Sequence, residues 1–159
     1  MKFYIYLWLV LFMPLCLCCS SEGEDDNLTK SGPFDIIELS GNWNATAARF
    51  SNSSQWLDVV DEGGTVTMSV QTSGRFTMTI APADRIAYTV AGEMFWEKWE
   101  GTFYFAIQWD NYPDDWDTYG HNYDGLNFSL SGGFGSGEYD FDNDGDFEAC
   151  SVSMDFVRL

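Results

Sequence analysis

Residues 65–80 read Thr65-Val66-Thr67-Met68-Ser69-Val70-Gln71, then Thr72-Ser73-Gly74, then Arg75-Phe76-Thr77-Met78-Thr79-Ile80. Apolar side chains fall at every second position, with hydroxyl-bearing residues between them. That period of two is the pattern of a strand with one buried face, not of a helix. Val66, Met68 and Val70 share a face, and so do Phe76, Met78 and Ile80. The intervening Ser73-Gly74 suits a tight turn, so the stretch predicts a hairpin with all six apolar residues on a single sheet surface.

The same alternation continues in both directions. Residues 86–91 and 93–98 read as two strands separated near Gly92, and residues 101–109 put Phe103, Phe105, Ile107 and Trp109 on one side. Leu126, Phe128 and Leu130 mark a later strand, followed by the glycine-rich turn Gly132-Gly133-Phe134-Gly135-Ser136-Gly137. Residues 138–142 and 150–159 close the series, the last run aligning Val152, Met154 and Phe156. Residues 55–62 are the one candidate for a short helical turn. Many short strands with Gly-rich connections predict an all-β sandwich or barrel, and periodicity alone does not choose between them.

Composition narrows the function. The chain has 159 residues, enough for one domain, and 25 acidic against 7 basic residues give a formal charge of −18. Such a surface repels phosphate backbones, which excludes nucleic-acid binding through a basic face. Yet 45% of the residues are apolar and 18% aromatic, so the chain folds rather than forming an acidic disordered tail.

Residues 3–17, FYIYLWLVLFMPLCL, form an apolar run behind Lys2 that is shorter than the roughly 20 residues of a spanning helix and reads as a signal peptide. The run ends at Cys16-Leu17-Cys18-Cys19, followed by Ser20-Ser21-Glu22-Gly23-Glu24-Asp25-Asp26. This resembles a bacterial lipoprotein signal, which implies cleavage before a cysteine that is then acylated. Cys19 is the choice, because Cys18 before it is small whereas Leu17 before Cys18 is a poor cleavage residue. Several acyl chains on one cysteine give stable attachment, each buried methylene adding about 0.8 kcal/mol. The resemblance implies a lipid anchor at the outer membrane or cell surface of a Gram-negative bacterium. The acidic run is similar to surface-export signals of Bacteroidota lipoproteins and equally fits a solvated linker. The expected organisation is a signal peptide over residues 1–18, a flexible acidic tether over 19–33 ending at Gly32-Pro33, and a β domain over 34–159.

Leu39-Ser40-Gly41-Asn42-Trp43 opens that domain with a Gly-x-Trp pattern, and Arg158 stands one residue from the end. Together with the Asp-rich turn before the last strand, these residues resemble the small lipocalin-like domains of bacterial secreted proteins. The resemblance implies an eight-stranded, up-and-down antiparallel barrel. It also implies that Trp43 packs against Arg158 at the closed end, by cation–π attraction and burial of the guanidinium stem. A barrel of this size either holds one small ligand or is filled by side chains. The expected interior residues are Val66, Met68, Phe76, Met78, Phe103, Phe105, Phe128, Met154 and Phe156. Hollow, they would line a pocket for a small hydrophobic molecule; filled, they would make the protein a structural or recognition module.

Two further features carry candidate chemistry. Asp140, Asp142, Asp144, Asp146 and Glu148 alternate along a loop with Gly145 at the sixth place, the spacing of a calcium loop, though position 12 is Ser151. The competing reading is an acidic hairpin turn. Residues 94–124 interleave Trp and Tyr with Asp, a pattern that suits glycan or protein recognition; Trp116, Tyr119 and Tyr123 are the rings expected at the surface. No catalytic set is evident: His121 reads as a solvated loop residue without a nucleophile motif, and Cys150 as a thiol turned inward. The chain is expected to act by binding rather than catalysis, with no cofactor beyond a possible Ca²⁺.

Overall fold

The alternating apolar pattern becomes ten strands: β1 (Leu28–Thr29), β2 (Gly41–Ser51), β3 (Trp56–Asp58), β4 (Thr65–Val70), β5 (Arg75–Ala81), β6 (Tyr88–Trp99), β7 (Thr102–Trp109), β8 (Asp117–Tyr123), β9 (Asn127–Tyr139) and β10 (Glu148–Arg158). The computed structural model describes residues 27–159; the apolar leader and Cys19 lie outside the described residues. Strands β2, β4, β5, β6, β7, β8, β9 and β10 pair antiparallel in that order, and β10 returns to β2. The expected all-β, eight-stranded, up-and-down, lipocalin-like barrel is therefore the observed one.

The hairpin over 65–80 has the predicted register. Val66 faces Ile80, Met68 faces Met78 and Val70 faces Phe76, and all six side chains are buried. Its turn needs glycine: Gly74 has φ +89°, and a Cβ there would lie 2.7 Å from the carbonyl oxygen of Met94.

Elsewhere the chain departs from the expected boundaries. Gly92 does not separate two strands but lies within the 12-residue β6. The first half of β6 pairs with β5 and the second with β7, and a Cβ at Gly92 would sit 2.4 Å from the carbonyl oxygen of Gln108. Glycine serves here for close approach of neighbouring strands rather than for a turn. Residues 132–137 likewise form no turn. They belong to β9, where Gly132 pairs with Val152 and Gly137 with Cys150, so the chain between them bulges outward and exposes Phe134. The strand expected over 138–142 stops at Tyr139.

Residues 55–62 hold β3 and then the expected short turn, confined to the second half, where the Glu62 amide donates to the Asp58 carbonyl at 3.0 Å. The short β3 pairs with the end of β2, and β4 pairs with its beginning. In between, the buried Asp58 carboxylate stands in for a strand, one oxygen accepting from the amides of Ala48 and Val60 at 3.0 Å each. Its other oxygen lies 3.3 Å from Arg49 Nε. A buried charge needs this combination of donors and a cation.

The fold also begins earlier than residue 34. Within the expected tether, Leu28 and Thr29 pair with Glu97 and Trp96, extending the sheet beyond Arg75, where β5 begins. Lys30 Nζ reaches Glu93 at 2.6 Å and the carbonyl of Met94 at 2.7 Å.

One barrel end is sealed. A 3₁₀ turn, Ile36–Leu39, closes it with Ile36 and Leu39 fully buried. Trp43 Nε1 donates to the carbonyl of Leu39 at 2.8 Å, and the Arg158 guanidinium lies 4.3 Å from the Trp43 ring centroid. Arg158 also donates to three carbonyls: Ser40 at 2.6 Å, Glu38 at 2.5 Å and Gly125 at 2.9 Å. The two residues singled out by the resemblance thus meet, and Arg158 ties β10 to the 3₁₀ turn before β2 and to the loop before β9.

Candidate functional site

Beyond the seal, aromatic rings fill the lower barrel. Phe105 packs against Trp96 at 5.4 Å and Phe128 at 5.6 Å, while Phe128 contacts Trp43 at 6.1 Å and Phe156 at 6.3 Å between centroids. His121 completes this cluster. It lies on β8, not in a loop, 4.9 Å from Trp96 and 5.5 Å from Phe105, and burial holds its pKa below the ordinary 6.5. Its expected role as a solvated residue is corrected: β8 alternates inward at Asp117, Tyr119, His121 and Tyr123.

The upper half is hollow. A cavity of about 550 Å³ opens at the end opposite Trp43, within the usual size of small-molecule sites. Of the nine expected interior residues, Met68, Phe76, Met78 and Met154 line it. Phe105, Phe128 and Phe156 are buried below it, Val66 is buried opposite the lining residue Ile80, and Phe103 is half-buried at the rim of the sealed end, against Trp96. Phe50, Ile80, Tyr88, Met94, Ile107 and Trp109 also line the cavity and were not singled out by sequence. All but Phe50 belong to runs that were read as strands. That signal reports which face a residue is on, but not how far along the barrel axis it lies.

The mouth is built by the loop after β7, the bulge of β9 and the β9–β10 hairpin. Tyr119 locks these pieces together: its hydroxyl donates to the carbonyl of Ser136 at 2.6 Å and accepts from Trp109 Nε1 at 3.0 Å. Burial drives its phenol pKa far above the usual value. The expectation of a surface-exposed Tyr119 is thus overturned, because β8 turns it inward; it is 4% exposed. Trp116 and Tyr123 are half-buried. Trp116 lines the mouth and packs edge-on against Phe95, and Tyr123 donates to the carbonyl of Glu38 at the sealed end.

Three carboxylates, Asp115, Asp117 and Glu138, stand among the lining residues, and no Lys, Arg or His does. Glu138 accepts from the Tyr112 hydroxyl at 2.9 Å. Burial raises the pKa of Asp117, and the negative charge of Asp115 raises it further. Tyr88, another lining residue, has a buried hydroxyl without a hydrogen-bond partner among the described residues.

The acidic loop has a separate geometry. Asp140, Asp142 and Asp144 bring carboxylate oxygens within 4.8 Å of one another, but Asp146 and Glu148 are not part of that group. Asp140 accepts from the amides of Asp144 at 3.2 Å and Gly145 at 3.1 Å, and Glu148 accepts from the amide of Phe141 at 3.0 Å. These carboxylates hold the hairpin's own backbone. Three converging carboxylates would supply part of the six to eight oxygens Ca²⁺ takes.

Cys150 is free and buried, and burial pushes its thiol up to about 11, away from the thiolate a nucleophile needs. No protein-family model, curated protein or solved structure matches the chain.

Proposed function

We propose that this chain is a lipid-anchored, lipocalin-like binding protein that takes one small apolar molecule into the open half of its barrel. The carrying observation is the cavity of about 550 Å³, walled by Met, Phe, Ile and Trp side chains and open at one end. Apolar surface left facing a sheltered cavity favours an apolar guest, at about 25 cal/mol for each Å² removed from water. Binding, not catalysis, is the proposed mode of action. The inward orientation of Tyr119 and the place of Trp116 at the mouth support a ligand reading over glycan or protein recognition by exposed loop aromatics.

The proposed anchor at Cys19 fits the barrel's polarity. Asn27 accepts from the amide of Lys98 near the end of β6, at the sealed end of the barrel. Seven residues lie between Cys19 and Asn27, a reach of about 28 Å at most. The described chain thus begins at the barrel end opposite the mouth. A hydrophobic fluorophore tests the reading. Saturable enhancement displaced by retinol or a long-chain alcohol supports it; absence of saturable binding removes it. Mass spectrometry of the mature amino terminus tests the anchor, which an unmodified Cys19 would exclude.

A further inference from the structure

The chemistry of the mouth names the ligand class more narrowly. Asp117 is an inward-facing carboxylate in the barrel wall, at the level of Ile107 on the neighbouring strand. Asp115 and Glu138 join it in the lining. Among the described residues, no Lys, Arg or His lines this opening. Arg75, nearby, is paired with Asp110 at 2.7 Å, and Arg85 is turned elsewhere. Its Nε lies 2.9 Å from Asp84, it donates to the carbonyl of Asp140, and its guanidinium stacks over Tyr139. Nothing the structure describes neutralises Asp117: burial and the charge of Asp115 are what act on it. The same opening holds the rings of Tyr88, Trp109, Tyr112, Trp116 and Phe147. Aromatic faces and uncompensated carboxylates attract the same kind of group, a cation, and reject an anion.

We propose that the ligand is an amphiphilic organic cation, with its apolar part in the barrel and its ammonium-type head at the mouth beside Asp117. This rests on the ligand-binding reading above and adds the sign of the head group. A lone acidic patch would bind any small cation weakly. Here the carboxylates rim an apolar cavity, so the tail and head of one molecule are recognised together. The unpartnered Tyr88 hydroxyl offers an additional polar contact within the lining.

The test uses three probes with identical ten-carbon tails: decyltrimethylammonium, decanol and decanoate, titrated calorimetrically below their micelle-forming concentrations. The expected order is ammonium tighter than alcohol by about tenfold, the scale of a desolvated cation–π contact, with the carboxylate weakest. Asp117→Asn is expected to lower the ammonium-to-alcohol ratio several-fold. Asp114→Asn removes the same charge from the loop outside the lining and is expected to keep that ratio. Alcohol binding equal to or tighter than ammonium overturns the inference and leaves the apolar cavity reading standing. An equal drop in ratio for both variants also overturns it, since general surface charge would then be the cause. Binding of none of the three overturns the cavity reading itself, and this inference with it.

Discussion

Removing the Arg158 guanidinium should be the most damaging single change at the barrel's sealed end. In Arg158→Met the apolar stem remains, but the carbonyls of Glu38, Ser40 and Gly125 each lose a charged donor, Glu38 keeping only the Tyr123 hydroxyl, and the oxygen of Tyr123 loses its donor at 3.2 Å. A hydrogen bond from a charged donor is worth about 1.5–3 kcal/mol, and the half-exposed site argues for about 1 kcal/mol from each carbonyl contact. Loss of the cation over Trp43 adds about 0.5–1 kcal/mol. The expected destabilisation is about 4 kcal/mol, a large part of the 5–15 kcal/mol typical of a domain. With a urea m-value of about 2 kcal/mol/M, the midpoint should fall by about 2 M at unchanged slope. Arg158→Lys keeps a positive charge near the ring but cannot span three carbonyls, so it should recover only about a third of the loss. The assay is equilibrium urea unfolding followed by tryptophan fluorescence. A loss below about 1 kcal/mol for Met, or full recovery by Lys, would refute the argument that the fork of contacts seals the barrel.

Two titrating groups and one candidate ion give further expectations. Asp117 has a raised pKa in the folded protein, so its neutral form is favoured by folding. Its contribution is therefore present in acid and lost as pH rises through the folded value; Asp117→Asn should be more stable than the parent at pH 7, and the difference should vanish in acid. His121 has the opposite sign. Its folded pKa is lowered below 6.5 by burial, so stability should fall as pH drops from that value, and a His121→Gln comparison by thermal unfolding should remove this part of the pH dependence. Millimolar Ca²⁺ should leave the melting temperature unchanged, because the carboxylates of Asp140 and Glu148 already hold backbone amides; a rise of several degrees would instead establish a calcium site.

What the sequence made legible follows from what alternation can encode. The hairpin over 65–80 was readable to its register because Thr and Ser occupy the outward positions between Met, Val and Phe. Strand β8 was not readable, since Asp117-Thr118-Tyr119-Gly120-His121-Asn122-Tyr123 places a carboxylate and an imidazole on its inner face. Of the two, Asp117 lies in the cavity lining and His121 packs within the filled lower half. The glycines of β9 resembled a turn because local propensity favours one, yet pairing with β10 keeps them in the sheet. For the site, period two identified the inner face but could not separate the filled lower half, with Phe105 and Phe128, from the open upper half, with Met78 and Trp109. That division depends on how far each residue lies along the barrel axis, which only the closed sheet fixes.

Met68, Met78, Met94 and Met154 all line the cavity, and their methyl groups report directly on it. Methyl-labelled methionine NMR during a decanol titration should shift all four signals along one saturation curve with one-to-one stoichiometry. Four signals that stay fixed through the titration would contradict the account of an open, ligand-accepting barrel.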